Sequence, residues 1–148
     1  MSRIALKPQR MQPELFVYSF PIRVYFESTD AGGVVYHGEY LKFLERARTE
    51  WLRHLGFDHQ GLARTHGSVF VVSSVAVDFV KPARLDDTLA VSVQLESLGK
   101  VRCVFTQEIR REDEVLVRAK VTVASLTVET FKPLEIPEPL KRKMEACI

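Results

Sequence analysis

The sequence predicts an α+β domain in which a sheet of about five antiparallel strands wraps around one long helix. Three observations carry this prediction. At 148 residues the chain has the length of one domain. One long stretch, about 35–55, repeats its apolar residues every three or four positions, as the buried face of a helix does. The stretches after residue 68 instead read as strands, and short turns join the later ones, which is typical of antiparallel pairing.

The N-terminal part of this domain is predicted as a strand, a turn and the helix. Residues 16–26 are rich in aromatic and β-branched side chains, and Pro21 within them favours an edge strand or a kinked one. Residues 27–33 are turn formers, and the helical period then runs over 35–55. Gly56 follows the last apolar position and is predicted to end the helix.

The C-terminal part is predicted to be β structure. Residues 69–80 are almost wholly apolar, which predicts a central strand. Residues 89–95, 101–109 and 115–123 alternate apolar and polar side chains and predict three further strands. At 124–128 the apolar phase slips by one residue, which predicts a bulge or a twist.

No repeat or linker divides the chain, and we expect one domain over residues 16–131. Residues 1–15 are predicted to be a flexible extension, and their basic character without an apolar segment argues against a signal peptide. Residues 132–148 are predicted to be a C-terminal tail with a solvated basic tract at 141–143.

The composition excludes several classes of function. With 21 basic and 19 acidic residues, the net charge of +2 is too balanced for a general nucleic-acid binder. No apolar run reaches about 18 residues, so no transmembrane segment is expected. Cys103 and Cys147 have no partner spacing and the four histidines match no metal motif, so neither a disulfide framework nor a metal site is expected. Cys103 reads as a small core residue, and a reducing, cytoplasmic setting fits.

Residues 30–37 form the stretch in which chemistry is expected. Gly32 and Gly33 let the backbone come close to another molecule. The helix that follows offers unpaired N–H groups and its positive dipole end, which stabilise an oxyanion developing on a carbonyl. Asp30, one turn earlier, is placed to act as a base or a nucleophile. A simple Asx turn before the two glycines explains the same residues without catalysis, and both interpretations stay open here.

Several segments together give the sequence a resemblance to a known family. They are residues 23–37 followed by Tyr40, and residues 45–50, 82–87 and 105–107. They resemble the hot-dog-fold acyl-CoA thioesterases of the 4-hydroxybenzoyl-CoA thioesterase-like family, and in particular the Tol-Pal-system-associated acyl-CoA thioesterase subgroup. The resemblance extends over roughly residues 20–128 and implies the hot-dog fold, in agreement with the predicted order of elements. One departure is Ser28, which stands where the subgroup usually has a second acidic residue.

The resemblance implies an enzyme that hydrolyses an acyl-CoA thioester to a free acid and CoA. Asp30 matches the catalytic aspartate of the family, as a general base or as a nucleophile. The backbone N–H of His37 matches the group that polarises the thioester carbonyl, and the His37 side chain would help to orient substrate or water. Gly32 and Gly33 would let the thioester reach Asp30. Coenzyme A is part of the substrate, so no separate cofactor is expected.

Further residues are assigned to substrate binding. Tyr36 and Tyr40 belong to this set, with packing at the edge of the core as the alternative interpretation. Arg84, Lys100 and Arg102 are candidate contacts to the phosphates of CoA, with solvated strand-end cations as the alternative.

The resemblance also places the active site at a subunit interface, and an exposed edge strand favours pairing of two sheets. We therefore expect a homodimer or a tetramer, with acyl-CoA as substrate and acyl carrier protein as a further candidate partner. Two other functions stay open. One is a non-catalytic protein that binds acyl thioesters or acyl carrier protein. The other is a hot-dog hydratase or dehydratase, for which His37 and Glu45 would be the nearest acid–base pair.

Overall fold

The computed structural model describes residues 17–148, and the extension predicted over residues 1–15 lies outside the described residues. Within the described part, five strands and three α-helices follow one another along the chain. Their order is β1 (Val17–Arg23), a 3-10 turn (Phe26–Ser28), α1 (His37–His54), α2 (His59–His66), β2 (Ser68–Phe79), β3 (Thr88–Leu98), β4 (Arg102–Arg111), β5 (Glu114–Thr127) and α3 (Glu138–Glu145).

The strands form one antiparallel sheet in the order β1-β3-β4-β5-β2. β1 and β2 are therefore the two edges of the sheet. The long helix α1 lies against β1 and β3 on one face. The predicted α+β class, with a five-stranded antiparallel sheet around one long helix, is confirmed.

The apolar stripe of α1 is the main contact between helix and sheet. Its buried side chains recur every three or four residues, as the sequence predicts: Tyr40, Phe43, Leu44, Ala47, Trp51 and Leu52. Burying a large apolar side chain of this kind contributes roughly 1.5–3 kcal/mol. The predicted stop is also confirmed, because Gly56 follows α1 with a φ of +97°, a conformation that favours glycine.

One buried polar side chain joins α1 to the sheet. Gln107 of β4 is 1% exposed, and its Nε2 donates to the carbonyls of Leu44 (3.1 Å) and Ser92 (3.2 Å). Its Oε1 accepts from Nη1 of Arg48 (2.9 Å). Because both ends of the amide are satisfied, Gln107 fixes the height of the helix above the sheet without an uncompensated polar group.

The prediction of a central strand over residues 69–80 is wrong, because β2 (Ser68–Phe79) is an edge strand. Val72, Val75 and Phe79 keep 44%, 43% and 52% of their surface exposed. An apolar run indicates that side chains need a cover, but it does not say what covers them. In this chain α1 packs over the opposite edge and leaves β2 open.

The bulge predicted at residues 124–128 is also wrong. The alternation of buried positions in β5 continues through Ser125, which is 0% exposed. Its hydroxyl lies 2.9 Å from the hydroxyl of Ser68 on β2, so the pair satisfies itself inside the core. The apolar phase slips in the sequence because an inward position is occupied by serine. The irregularity of this strand pair lies instead in β2, between Val72 and Ser74.

Residues 132–148, predicted as a C-terminal tail, carry α3 and belong to the core. Ile136, Leu140 and Met144 are at most 3% exposed. Leu140 and Met144 lie four residues apart on one side of α3, where the helix contacts the sheet, and Ile136 comes just before the helix. Arg142 and Lys143 of the basic tract are exposed, so solvation of the tract is confirmed for these two residues.

The substitution Leu140→Ala is expected to lower the free energy of unfolding by about 2–5 kcal/mol, because it leaves a cavity beneath α3. Leu140 is 0% exposed, whereas Arg142 on the same helix is exposed. Urea unfolding followed by circular dichroism measures the loss, and Arg142→Ala is the control, with an expected change within about 0.5 kcal/mol. Equally small changes in both variants would contradict the packing of α3.

The two cysteines are free thiols. Cys103 is 2% exposed, which confirms its prediction as a small core residue, and burial raises the pKa of its thiol to about 12. Residues 17–148 contain no group of three His, Cys, Asp or Glu side chains arranged to hold a metal ion. In the same part of the chain, no helix is both long enough and apolar enough to cross a membrane.

Candidate active site

Asp30 lies in a tight turn between the 3-10 turn and α1. Its backbone N–H donates to the carbonyl of Val34 (2.9 Å), and the N–H of Gly33 donates to the carbonyl of Asp30 (3.0 Å). Gly33 has a φ of +81°, which favours glycine at this position. Oδ1 of Asp30 accepts from the N–H of Gly32 (2.8 Å), so the Asx turn is present. It holds one carboxylate oxygen, and Oδ2 has no hydrogen-bond partner within residues 17–148.

The turn is anchored on both sides. Ser28 is buried, and its hydroxyl donates to Oε1 of Glu39 in the first turn of α1 (2.9 Å). The ammonium of Lys42 and the hydroxyl of Ser28 lower the pKa of Glu39, which favours its ionised form. On the other side, the N–H of Val35 donates to the carbonyl of Ala83 (2.9 Å). The residue that departs from the subgroup, Ser28, therefore connects the Asp30 turn to the helix.

α1 begins at this site with a free N–H group. Tyr36 is the N-cap residue, and no side chain caps the helix. The N–H of Glu39 donates to the carbonyl of Tyr36 (2.9 Å), whereas the N–H of His37 has no acceptor among the described residues. The N-terminus of a helix carries about half a positive charge. A free N–H there is suited to an oxygen that becomes negative during a reaction.

Aromatic rings form one wall of the site. The His37 ring lies 4.4 Å from the Tyr36 ring and 6.2 Å from that of Phe79 on β2. Tyr40 is 3% exposed, and its hydroxyl accepts from the N–H of Ala83 (2.9 Å). Burial raises the pKa of Tyr40, so its phenol stays neutral. His37, Tyr40 and Phe79 line a cavity of about 240 Å³.

The structure places the predicted cations at two different ends of the sheet. Arg84 lies beside the Asp30 turn, because its backbone bridges to Val34. Lys100 and Arg102 lie at the start of β4, and at about 3.3 Å per residue the far end of that strand is about 30 Å away. That far end carries Arg111, which bonds the carbonyl of Pro82 beside the site. One chain therefore does not bring Lys100 and Arg102 to Asp30, and their contact with CoA stays a prediction.

Three residues at the site were not found from the sequence. Phe79 and Lys81 line the cavity beside His37, and Lys81 also pairs with Glu114 at 2.6 Å. A Cβ at Gly38 would come within 3.0 Å of the Tyr36 ring, so glycine allows that ring to lie across the helix start. For Gly38, the signal available in the sequence was its position in the first turn of the predicted helix. Phe79 and Lys81 carry no local signal, because the register of β2 brings Phe79 here and the N–H of Lys81 donates to the carbonyl of Leu116 on β5.

The fold and this site define a class: a hot-dog protein with a carboxylate in the turn that leads into its central helix. The chain matches the model of the thioesterase superfamily over residues 32–118. It is 44% identical over 124 residues to the acyl-CoA thioesterase YbgC of Haemophilus influenzae, which covers 84% of this chain and 91% of that protein. It is 42% identical over 125 residues to the acyl-CoA thioester hydrolase YbgC of Escherichia coli O6:H1, with 84% and 92% covered.

A solved structure agrees with these relatives. The probable thioesterase from Bartonella henselae has a TM-score of 0.78 to this chain at 37% identity, over 82% of this chain and 99% of that one. The chain therefore belongs to the thioesterase superfamily.

Proposed function

We propose that this protein is an acyl-CoA thioesterase whose reaction centre lies between the Asp30 carboxylate and the N-terminus of α1. The observation that carries the proposal combines two features of the site, a carboxylate and a free N–H group. A carboxylate with one oxygen held by Gly32 lies in the turn that leads into a helix start whose His37 N–H has no acceptor among the described residues. Relatives that share 42–44% of the sequence bear the names acyl-CoA thioesterase and acyl-CoA thioester hydrolase, which supports the same substrate class.

In the first of two routes, Asp30 acts as a general base. The thioester carbonyl oxygen accepts a hydrogen bond from the N–H of His37, while the Asp30 carboxylate takes a proton from water. The water oxygen bonds to the carbonyl carbon, and the negative charge develops on the oxygen at the helix N-terminus. The carbon–sulfur bond then breaks, the acid leaves, and the CoA thiolate recovers the proton from Asp30.

In the second route, Asp30 is the nucleophile. Its carboxylate oxygen bonds to the carbonyl carbon, the CoA thiolate leaves, and water then hydrolyses the acyl–aspartyl anhydride. Gly32 and Gly33 leave the space above the turn free of side chains, which suits either route. Both need only water beside the substrate, so the proposal includes no cofactor or metal.

A second copy of the chain is part of the proposal, because the site is open in one copy. Large apolar side chains beside it are exposed: Tyr25 by 63%, Phe26 by 80%, Tyr36 by 52% and Phe79 by 52%. Such a cluster on a protein surface marks a binding or an interaction site. A partner subunit would cover these side chains and bring its own Lys100 and Arg102 toward the substrate.

β2 is the edge that suits this partner. It is 12 residues long, has no proline or lysine, and exposes valines. β1 is seven residues long and contains Pro21, which protects an edge from pairing. Pairing of two β2 strands would make the apolar run at 69–80 central in a ten-stranded sheet, as its composition requires.

The hydratase or dehydratase interpretation is not favoured. Within one chain it requires His37 and Glu45 to act on neighbouring atoms of one substrate, but eight residues of helix separate them by about 12 Å. Glu45 is exposed and its Oε2 accepts from the hydroxyl of Thr49 (2.7 Å), two turns away from the site.

The test of the proposed function is release of free thiol from a panel of acyl-CoAs that includes short, long and aromatic acyl groups. Hydrolysis of at least one member well above the uncatalysed rate is expected. Saturable binding of acyl-CoA without hydrolysis would contradict the enzyme and favour the non-catalytic binding protein. A parallel assay with acyl carrier protein thioesters separates a preference for that carrier from inactivity. The two free thiols fit a reducing compartment, and we propose that the enzyme is cytoplasmic.

A further inference from the structure

The loop that joins β2 to β3 (residues 80–87) supports the start of α1 through its backbone. The N–H of Val35, two residues before the helix, donates to the carbonyl of Ala83 (2.9 Å). The N–H of Ala83 donates in turn to the hydroxyl of Tyr40 on α1 (2.9 Å). Ala83 is 0% exposed, so water does not compete for these bonds. The position of the loop therefore sets the position of the first turn of α1, where the free N–H of His37 lies.

The same loop supports the turn that carries Asp30. Arg84 forms a backbone bridge with Val34, and the carbonyl of Val34 accepts the N–H of Asp30 (2.9 Å). A shift of the loop would therefore move the Asp30 carboxylate relative to the N–H of His37. A displacement of about 1 Å in the geometry of reacting groups is sufficient to lower a rate by about 100-fold. The proposed reaction therefore depends on the position of this loop.

Asp87 closes the loop. Its Oδ2 accepts the N–H of Arg84 (2.8 Å), and its own N–H donates to the carbonyl of Arg84 (3.1 Å). Val24, just after β1, donates its N–H to the carbonyl of Asp87 (2.9 Å) and accepts the N–H of Asp86 (2.9 Å). Asp86 has a φ of +72°, in the left-handed region that residues other than glycine adopt less readily. A backbone in that region persists where surrounding contacts hold it, and Asp87 supplies several of these contacts.

Arg111, the last residue of β4, connects the loop to the sheet. Its Nη1 donates to Oδ2 of Asp87 (2.7 Å) and to the carbonyl of Pro82 (3.3 Å), which lie toward opposite ends of the loop. Its Nη2 donates to Oε1 of Glu114 on β5 (2.8 Å). The side chains of Arg111 and Asp87 are 27% and 21% exposed, so water only partly screens this ion pair. A planar guanidinium presents several donors in a fixed geometry, which an ammonium does not.

Glu114 holds Arg111 in this orientation. Its Oε1 accepts from Arg111, and its Oε2 accepts from Nζ of Lys81 (2.6 Å). The ammonium of Lys81 and the guanidinium of Arg111 lower the pKa of Glu114, so its carboxylate is ionised. Lys81, Asp87, Arg111 and Glu114 therefore form one ionic network that ties both ends of the loop to the paired strands β4 and β5.

We infer that Arg111 is a positioning residue of the proposed reaction. Through Asp87 it holds the loop, and the loop sets the separation between the Asp30 carboxylate and the N–H of His37. Because its effect reaches the reacting groups through the backbone of the loop, it should appear in kcat rather than in KM. The inference rests on the proposed function and adds to it a residue outside the Asp30 turn and the start of α1.

The test replaces Arg111 by Met, which keeps an unbranched stem and removes the guanidinium. We expect kcat for acyl-CoA hydrolysis to fall by about 10–100-fold, while KM stays within about threefold of the wild type. Arg111→Lys, which restores the charge, should recover part of the loss, because the ammonium can still pair with Asp87. Thiol release is measured well below the unfolding midpoint of each variant, so that lower stability alone does not change kcat.

The matched control is Arg110→Met, the same change at the preceding residue of β4. The guanidinium of Arg110 pairs with Glu108 at 2.7 Å, and its side chain is 43% exposed. This control should keep the kcat of the wild type. Wild-type kcat in Arg111→Met, or an equal loss in both variants, would overturn the inference. If Arg111→Met does not fold, Arg111→Lys decides: a kcat lower by at least about threefold supports the inference, and an unchanged kcat overturns it.

A double-mutant cycle tests whether Asp87 carries the effect. Asp87→Asn keeps an acceptor for the N–H of Arg84 and weakens the pair with Arg111. Because both changes disrupt one contact, the double variant should lose no more than about threefold in kcat beyond the more affected single variant. Losses that multiply would show that the two residues act independently and would overturn the inference.

The same assay separates this inference from the proposed function. A wild type that hydrolyses no acyl-CoA overturns both. An active wild type whose kcat does not depend on the side chain at position 111 overturns the inference and leaves the proposed function intact.

Discussion

Replacement of Asp30 by Asn is expected to reduce kcat for acyl-CoA hydrolysis by about 10²–10⁴-fold, the usual contribution of a catalytic base or nucleophile. The amide cannot take a proton from water and is a poor nucleophile. Its Oδ1 can still accept the N–H of Gly32, which Asp30 binds at 2.8 Å. The turn should therefore persist, with an unfolding free energy within about 0.5 kcal/mol of the wild type. Thiol release and urea unfolding measure the two quantities on the same preparation.

The chain offers a matched control for this variant. Asp58 is the N-cap of α2, and its Oδ1 accepts the N–H of Gly61 (2.6 Å), the same type of contact outside the candidate site. Asp58→Asn should leave thiol release near the wild-type rate. Wild-type turnover in Asp30→Asn would show that the reaction centre has been assigned to the wrong residue. Equal losses in both variants would point to a structural effect of the Asp-to-Asn change.

Replacement of Val75 by Glu is expected to dissociate the proposed dimer and to remove most of the activity. Val75 lies in the middle of β2 and is 43% exposed, so a single chain tolerates the charge. In a paired sheet the same carboxylate would be buried without a partner, at a cost of about 3–5 kcal/mol. That cost raises the dissociation constant of the dimer at least 100-fold. We expect a monomer by light scattering and at least a tenfold loss of thiol release, because the open site loses its cover.

Val17→Glu is the control, since it makes the same change at the other edge of the sheet, where Val17 is 36% exposed on β1. It should keep the mass and the activity of the wild type. A dimer that survives in Val75→Glu but not in Val17→Glu would place the interface on β1. A wild type that is monomeric and fully active would contradict the shared site.

Local patterns were sufficient for most of the fold. The boundaries of α1 follow from its apolar period and from Gly56, because a helix face and a left-handed stop depend on neighbours in the chain. The strands β3, β4 and β5 follow from alternation for the same reason. The pattern misled where one residue broke it. Ser125 faces inward and is satisfied by Ser68, a residue 57 positions away, and this pairing cannot be seen in the local sequence.

The candidate site likewise has a part that the local sequence predicts and a part that only the tertiary structure brings together. Asp30 and His37 are seven residues apart, so a turn and a helix start are sufficient to place them together, and their residue types indicate the chemistry. Phe79 and Ala83 reach the site only through the register of β2 and the path of the loop that follows it. Such contacts depend on which strands pair, which is decided by packing across the whole sheet.

The sequence by itself determined the α+β class, the position of α1, the turn at Asp30 and the family resemblance, because each depends on residues close together along the chain. Only the tertiary structure decided that β2 is an open edge and that α3 completes the core. These features arise because the one long helix packs over β1 and β3 and leaves the opposite edge of the sheet, at β2, uncovered. The free energy that favours this arrangement comes from apolar burial summed over residues far apart in the sequence. No local sequence pattern contains that sum.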